Sequence, residues 1–345
     1  FLGLVIVLAW RSLLVMQEQY RNDMGKHLSV VNNSVHQTLR TWLDGRRRLV
    51  SGLASEPEVL EATAALLAAP RNPQALRAEP ALEHLRALLK PHLERMNAKG
   101  MFIIAPDRLS IASMRDASLG KQNLVEQQRP DLMDRAFAGE TVLVPPIVSD
   151  IPLQDKSGQL VERASTMFFA APLRDPGDEV MAVFTVRFEP AFELTRITES
   201  GRPGESGKTY AIDRNGHMLT QSRFEELLIE TGIATQAGNG DSGIQGFRVS
   251  DPGGNLLSGY VPGTARVELP LTRMASEATR GRTGMDVNGY RDYRGVPVLG
   301  AWLWSEELGI GLATEIDVDE TLAPYRVLRD LVIGVLGVTV LLAIV

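Results

Sequence analysis

The chain has no cysteine, which excludes a disulfide framework and any thiolate metal centre. It also has no excess of positive charge. The formal net charge is −6, which argues against nucleic acid as a partner. Histidine is scarce. The five imidazoles, His27, His36, His84, His92 and His217, do not fall at metal-ligand spacings. His27 and His36 lie on different faces of one helical pattern, and only His84 and His92 could share a face. Neither a Ser-His-Asp arrangement, a His-Glu-x-x-His pair nor a cysteine nucleophile is present. Catalysis by this segment, a bound metal and a cofactor are therefore not expected.

The chain does have apolar runs at both ends. Phe1 to Trp10 carries no charge, and Leu331 to Val345 has no side chain more polar than Thr339. A membrane helix needs about 20 apolar residues, so both runs read as truncated spans around a soluble region of roughly 320 residues. The expectation is a piece of a larger receptor with its soluble part outside the cytoplasm, anchored in the inner membrane. From Leu13 onward, Met16, Tyr20, Met24, Leu28, Val31, Val35, Leu39, Trp42, Leu49 and Leu53 recur in helical steps, and no proline intervenes before Pro57. Roughly 40 residues at about 1.5 Å each predict a helix of about 60 Å. Such a helix could also serve as a homodimer seam. Ser55-Glu-Pro-Glu58 suggests a capping box opening a second helix. Leu82, Leu85, Leu89 and Leu93 mark another, which Pro91 should kink or divide.

After Gly100 the pattern changes to strands. Phe102–Ala105 and Leu109–Ser113 predict a hairpin, and Tyr210–Asp213 with His217–Ser222 repeats it around Asn215-Gly216. A second hairpin also occurs twice, as Ser165–Leu173 with Val180–Glu189 and as Val296–Trp304 with Ile310–Asp317. Two similar units of antiparallel sheet plus helices predict a duplicated α+β fold. Gly201-Arg-Pro-Gly-Glu-Ser-Gly-Lys-Thr209 imitates a phosphate-binding loop. Its spacing is one residue too long, and it leads into a strand instead of a helix. It reads as a linker into the second unit.

Taken together, the terminal apolar runs, the long entry helix, the paired hairpins and the stretch Gly289-Tyr-Arg-Asp-Tyr-Arg-Gly-Val-Pro-Val-Leu-Gly-Ala-Trp302, followed by Leu308–Glu315, resemble the double Cache family of extracytoplasmic sensors. The resemblance implies a membrane helix at 1–16, a long helix and helical hairpin at 17–98, and a membrane-distal PAS-like module at 99–200. It implies a proximal PAS-like module at 201–318, then a connecting helix and second membrane helix at 319–345. A bend or helix start near Thr321–Pro324 is expected at that last junction, preceded by the capping residues Asp317 and Asp319. The implied function is small-molecule sensing coupled to a histidine kinase. A chemoreceptor, a nucleotide cyclase and a non-signalling tethered envelope protein are the alternatives.

The resemblance places a ligand in the distal module, against the ends of its strands. Ser149 and Asp150 end the run Thr141–Val148, and Arg115 follows the first hairpin. Strand alternation sets Arg163, Ser165 and Met167 on one face of Glu162–Phe169 and Thr166 and Phe168 on the other. The candidate ligand residues are Arg115, Ser149, Asp150, Arg163, Thr166 and Phe168. Removing the Asp150 carboxylate is expected to weaken the ligand response without unfolding the module. Amino-acid-binding members carry an Arg-x-Trp-Tyr cluster, whereas Arg129-Pro-Asp-Leu132 has no aromatic residue. Gly289–Gly295 reads as a tight hairpin whose charges alternate with Tyr290 and Tyr293.

Overall fold

The computed structural model describes residues 2–150, 153–154, 160–161, 165–230 and 247–344. Its first element is one uninterrupted helix, α1 (Leu2–Ala54), as the apolar stripe and the lack of proline require. Two compact units follow by contact. One comprises Gln37–Arg196; the other comprises residues up to His36 and the described residues from Ile197 onward.

In the first unit, α2 (Pro57–Ala68), α3 (Pro73–Ala78) and α4 (Pro80–Arg95) precede the sheet. The strands are β1 (Gly100–Ile104), β2 (Ser110–Ser113), β3 (Val142–Val148), β4 (Leu153–Gln154), β5 (Leu160–Val161), β6 (Ser165–Arg174) and β7 (Val180–Phe188). Helices α5 (Leu124–Gln128) and α6 (Pro130–Phe137) lie between β2 and β3, and α7 (Pro190–Thr198) follows β7. The main sheet has the order β2-β1-β7-β6-β3, with all pairs antiparallel, while β4 and β5 pair with each other. Side chains alternate across it. Phe102, Ile104, Phe168, Ala170 and Val183 pack with Leu124, Leu132, Met133 and Ala136 of α5 and α6. On β6, Phe169 points the other way, with its ring 5.8 Å from that of Trp42 in α1.

The second unit has β8 (Lys208–Ile212), α8 (Glu225–Glu230), α9 (Arg273–Ala278), β9 (Gly284–Arg291), β10 (Pro297–Ser305) and β11 (Ile310–Asp317). The strands form an antiparallel sheet of order β8-β11-β10-β9. Leu28 of α1 packs on Leu299, Ala301 and Ile316. Asn32 Nδ2 pins the helix by donating to the carbonyls of Ala301 (3.1 Å) and Leu312 (3.3 Å). The chain ends in α10 (Val318–Thr321) and α11 (Ala323–Ile344), with the break at Leu322 where Pro324 enters a first turn. Among the described residues, no helix is long and apolar enough to cross a membrane.

Several local expectations are corrected. The capping box at Ser55–Glu58 does not form: α2 begins at Pro57, and its N-cap Glu56 makes no side-chain bond. Pro91 sits inside α4 without dividing it, and Leu82, Leu85, Leu89 and Leu93 stay on one buried face. The second arm of the Asn215-Gly216 hairpin is not a strand. It meets β8 through the isolated bridge Ile212–Met218 and through Leu219 N, which donates to the Ala211 carbonyl at 2.8 Å, while His217 also bridges Arg248. Asp317 is the backbone N-cap of α10, but its carboxylate accepts from Arg294 instead of capping.

Candidate functional site

The site in the first unit is built on the face of the sheet that carries Phe102 and Phe168. Directly opposite residues on paired strands share a face. Phe168 on β6 stands opposite Arg187 on β7, which places a guanidinium in a wall of otherwise apolar strand. Its side chain is only 3% exposed. A buried cation needs partners, and Arg187 has four. Nε donates to Thr166 Oγ1 at 2.9 Å, and Nη2 donates to Ser149 Oγ. Nη2 also lies 3.2 Å from Asp150 Oδ1, and the guanidinium sits 5.6 Å from the centre of the Phe168 ring. Burial pushes the Arg187 pKa down, the Asp150 charge opposes that shift, and the nearby Arg115 charge adds to it.

Asp150 is 43% exposed at its side chain and faces a cavity of about 300 Å³. Phe102, Arg115, Lys121, Asn123 and Gln127 are among its other lining residues. Asn123 is itself buried. It caps α5 by accepting from Val125 N (2.9 Å) and donates to Ser110 Oγ at 3.3 Å. Thr185 lies on the same sheet face as Arg187, two residues earlier. Its hydroxyl is buried without a hydrogen-bond partner.

Of the six residues proposed from sequence, Ser149, Asp150, Thr166 and Phe168 all meet Arg187, and Arg115 lines the cavity with Asp150. Phe168 does not line that cavity; its place is taken by Phe102, whose ring lies 6.2 Å from that of Phe168. Arg163 lies outside the described residues. The residue that joins the others, Arg187, was missed, although one charge within Val180–Phe188 was a visible signal for a buried, partnered group.

The corresponding face of the second unit is filled by its own side chains. Lys208 on β8 stands opposite Glu315 on β11. Lys208 Nζ lies 2.8 Å from Asp292 Oδ2 and 3.4 Å from Glu315 Oε2. Arg294 Nε donates to Asp292 Oδ2 at 2.7 Å, and its Nη2 donates to Asp317. The hydroxyls of Tyr210 (3.0 Å) and Tyr290 (2.7 Å) donate to Glu315. Gly300 makes the second contact possible, since a Cβ there would come within 2.1 Å of the Tyr290 hydroxyl. Burial raises the Glu315 pKa despite Lys208. At Asp292 burial acts in the same upward sense but is overcome by Lys208 and Arg294, so that carboxyl is held below its usual range. The charges of the Gly289–Gly295 hairpin are thus not all surface groups: Asp292 and Arg294 are buried. Among the described residues, no group of His, Asp and Glu could hold a metal ion.

No family model and no curated protein sequence matches this one. Solved structures do match along their full length. The sensor domain of the V. cholerae histidine kinase DctB is 13% identical over 87% of this chain and 98% of that one, with a TM-score of 0.49. The ligand-binding domain of the Campylobacter jejuni chemoreceptor Tlp3, in complex with L-valine, is 11% identical over 88% and 97%, with a TM-score of 0.47. That of the Pseudomonas aeruginosa amino acid chemoreceptor PctB, in complex with L-Arg, is 14% identical over 89% and 93%, with a TM-score of 0.48. The likeness to these structures is one of fold, which in this chain is a long helix followed by two antiparallel-sheet units.

Proposed function

We propose that the chain is the extracytoplasmic sensing region of a transmembrane receptor, and that its first unit binds a small anionic ligand. The contrast between the two sheets carries this reading. Arg187 and Glu315 occupy matching places in the closing strands β7 and β11. Glu315 faces Lys208 on the next strand, whereas Arg187 faces Gly100, which has no side chain. The second unit therefore neutralises itself. In the first unit a half-exposed Asp150 answers Arg187, while Arg115 and Lys121 add positive charge to the same cavity. Convergent polar groups beside apolar walls suit a small ligand, and the sign of the surplus favours an anion.

In this reading the ligand shifts the population of two states of the first unit by its differential affinity for them. In the same reading the exposed apolar residues Leu4, Val7 and Leu8 of α1, and Leu331, Val335 and Leu342 of α11, lie against the membrane, and α10 and α11 carry the output. A homodimer through α1 and a kinase output complete the proposal, with a chemoreceptor as the alternative output.

Calorimetric titration with a panel of small carboxylates, phosphates and amines tests the ligand class. Anions are expected to bind and amines are not. Arg115→Gln with Lys121→Gln should weaken anion binding about tenfold, at roughly 1 kcal/mol or less per half-exposed charge. Binding of amines alone would overturn the assignment. The location has its own test: reporters fused at Gly204 and at Gly295 should be active only when exported, and cytoplasmic activity at either would refute it.

A further inference from the structure

We propose that the second unit carries a binding site for the headgroup of an anionic phospholipid, built where α1 meets the start of α11. A cavity of about 270 Å³ is lined there by Trp10, Leu13, Leu14 and Gln17 of α1, Leu322, and Tyr325, Arg326 and Arg329 of α11. Three observations choose the occupant. First, the cavity is two-natured: Leu13, Leu322 and Tyr325 are buried, while Gln17 and two guanidiniums supply donors. An amphiphile matches that pairing, and a purely apolar or purely ionic ligand does not.

Second, the charge is of one sign on the lining itself. The carboxylates that answer the two arginines, Asp319 and Asp330, are not among the lining residues. They are 86% and 65% exposed at their side chains. Exposed pairs of this kind are worth about 0–1 kcal/mol, so a phosphate can replace them with little loss. Arginine also matches phosphate geometry through paired donors.

Third, the cavity lies beside two exposed apolar runs. On α11 the exposed Leu331, Ile333, Val335, Val338, Leu341 and Leu342 follow Arg329 and Asp330, with Val327 also exposed before them. On α1 the exposed Leu4, Ile6, Val7 and Leu8 precede Trp10, and Leu14 and Val15 are exposed after it. Trp, Tyr and Arg at the edge of an apolar band are the residues of a membrane interface, where each cation near an anionic surface favours binding. The occupant is therefore a lipid of the surrounding bilayer, held by its phosphate between Arg326 and Arg329 with its chains along the apolar residues.

This site depends on the membrane reading above, and the test separates the two. The chain is reconstituted into vesicles of phosphatidylcholine alone or mixed with phosphatidylglycerol. Flotation reports insertion, and native mass spectrometry after mild detergent extraction reports the lipid retained. The expected result is insertion into both kinds of vesicle and retention of phosphatidylglycerol over phosphatidylcholine by about thirtyfold, as two interfacial cations would give. Arg326→Gln with Arg329→Gln should remove the preference, and Lys26→Gln, on an exposed part of α1, should leave it. Insertion without any headgroup preference, or a preference untouched by the double variant, overturns the lipid site while the membrane reading stands. Absence from both floated fractions overturns the membrane reading, and the site with it. Displacement of retained lipid by soluble glycerol phosphate would show a free-phosphate site and refute the lipid as occupant.

Discussion

Asp292→Ala is expected to destabilise the second unit by about 3–5 kcal/mol, because it leaves two cations buried without their shared counter-charge. Lys208 and Arg294 are each 2% exposed at the side chain, and both place nitrogen against Asp292 Oδ2. Lys208 Nζ lies over the rings of Tyr293 and Phe224, and the Arg294 guanidinium lies over Phe224, so neither reaches water without opening that packing. Glu315→Gln should cost far less. Burial already favours the neutral form of Glu315, and an amide oxygen can keep one tyrosine hydrogen bond. Amide exchange in β8, β10 and β11 measures the effect separately from unfolding of the other unit. Similar losses for both variants would deny Asp292 its central role.

The pH dependence has a definite sign. A carboxyl whose folded pKa is depressed stabilises the fold above its unfolded value, and that contribution disappears as pH falls through the folded value. Asp292 is such a group, with an ordinary value of 3.8. The gap between the native protein and Asp292→Asn should therefore be full near neutrality and close on acidification below that value. Glu315 works in the opposite sense. Its raised pKa gives stability that is complete below its ordinary value of 4.5 and is lost as pH rises through the folded value.

These two carboxylates also mark where sequence reasoning stopped. Most strand positions and the long helix were legible because periodicity reports burial of whole faces: Leu28, Val35 and Leu39 are on the buried stripe of α1, although Tyr20 and Leu49 are exposed and Leu43 and Val50 are buried there. Pairing of single charges across strands depends on register, and a one-residue slip reverses every face. Lys208 meets Glu315, and Arg187 meets Gly100, only once β8, β11, β1 and β7 are aligned. Ser149, Asp150, Thr166 and Phe168 were accessible from sequence because each lies in or at the end of a recognisable strand. The failed hairpin arm after Gly216 had no such signal, since the bridge from His217 to Arg248 joins it to a distant segment.

Arg187→Met is expected to lower anion affinity by about tenfold to a hundredfold, and Asp150→Asn to raise it a few-fold. Arg187 does not line the cavity; it stands behind Asp150, which does. Its charge still acts on a bound anion, because two unit charges about 6 Å apart interact by roughly 2–3 kcal/mol at an effective dielectric near 20. Removing the guanidinium also leaves Asp150 as an unbalanced carboxylate on the cavity wall. Removing the Asp150 charge does the reverse, since Arg187 keeps Thr166 and Ser149 as partners and its field is no longer answered. The ion pair thus reverses the direction expected from sequence, in which loss of Asp150 weakens the response. The double variant Arg187→Met/Asp150→Asn should bind with intermediate affinity, because the two charges cancel. Arg187→Lys should fall short of the native protein, since an ammonium cannot reproduce the forked donors that reach Thr166 and Ser149 together. Titration calorimetry on the four variants, with thermal unfolding as the control for folding, reads all of these outcomes. Weaker anion binding in Asp150→Asn, with an unchanged melting temperature, would make Asp150 a ligand contact in its own right and refute its role as the counter-ion that an anion replaces.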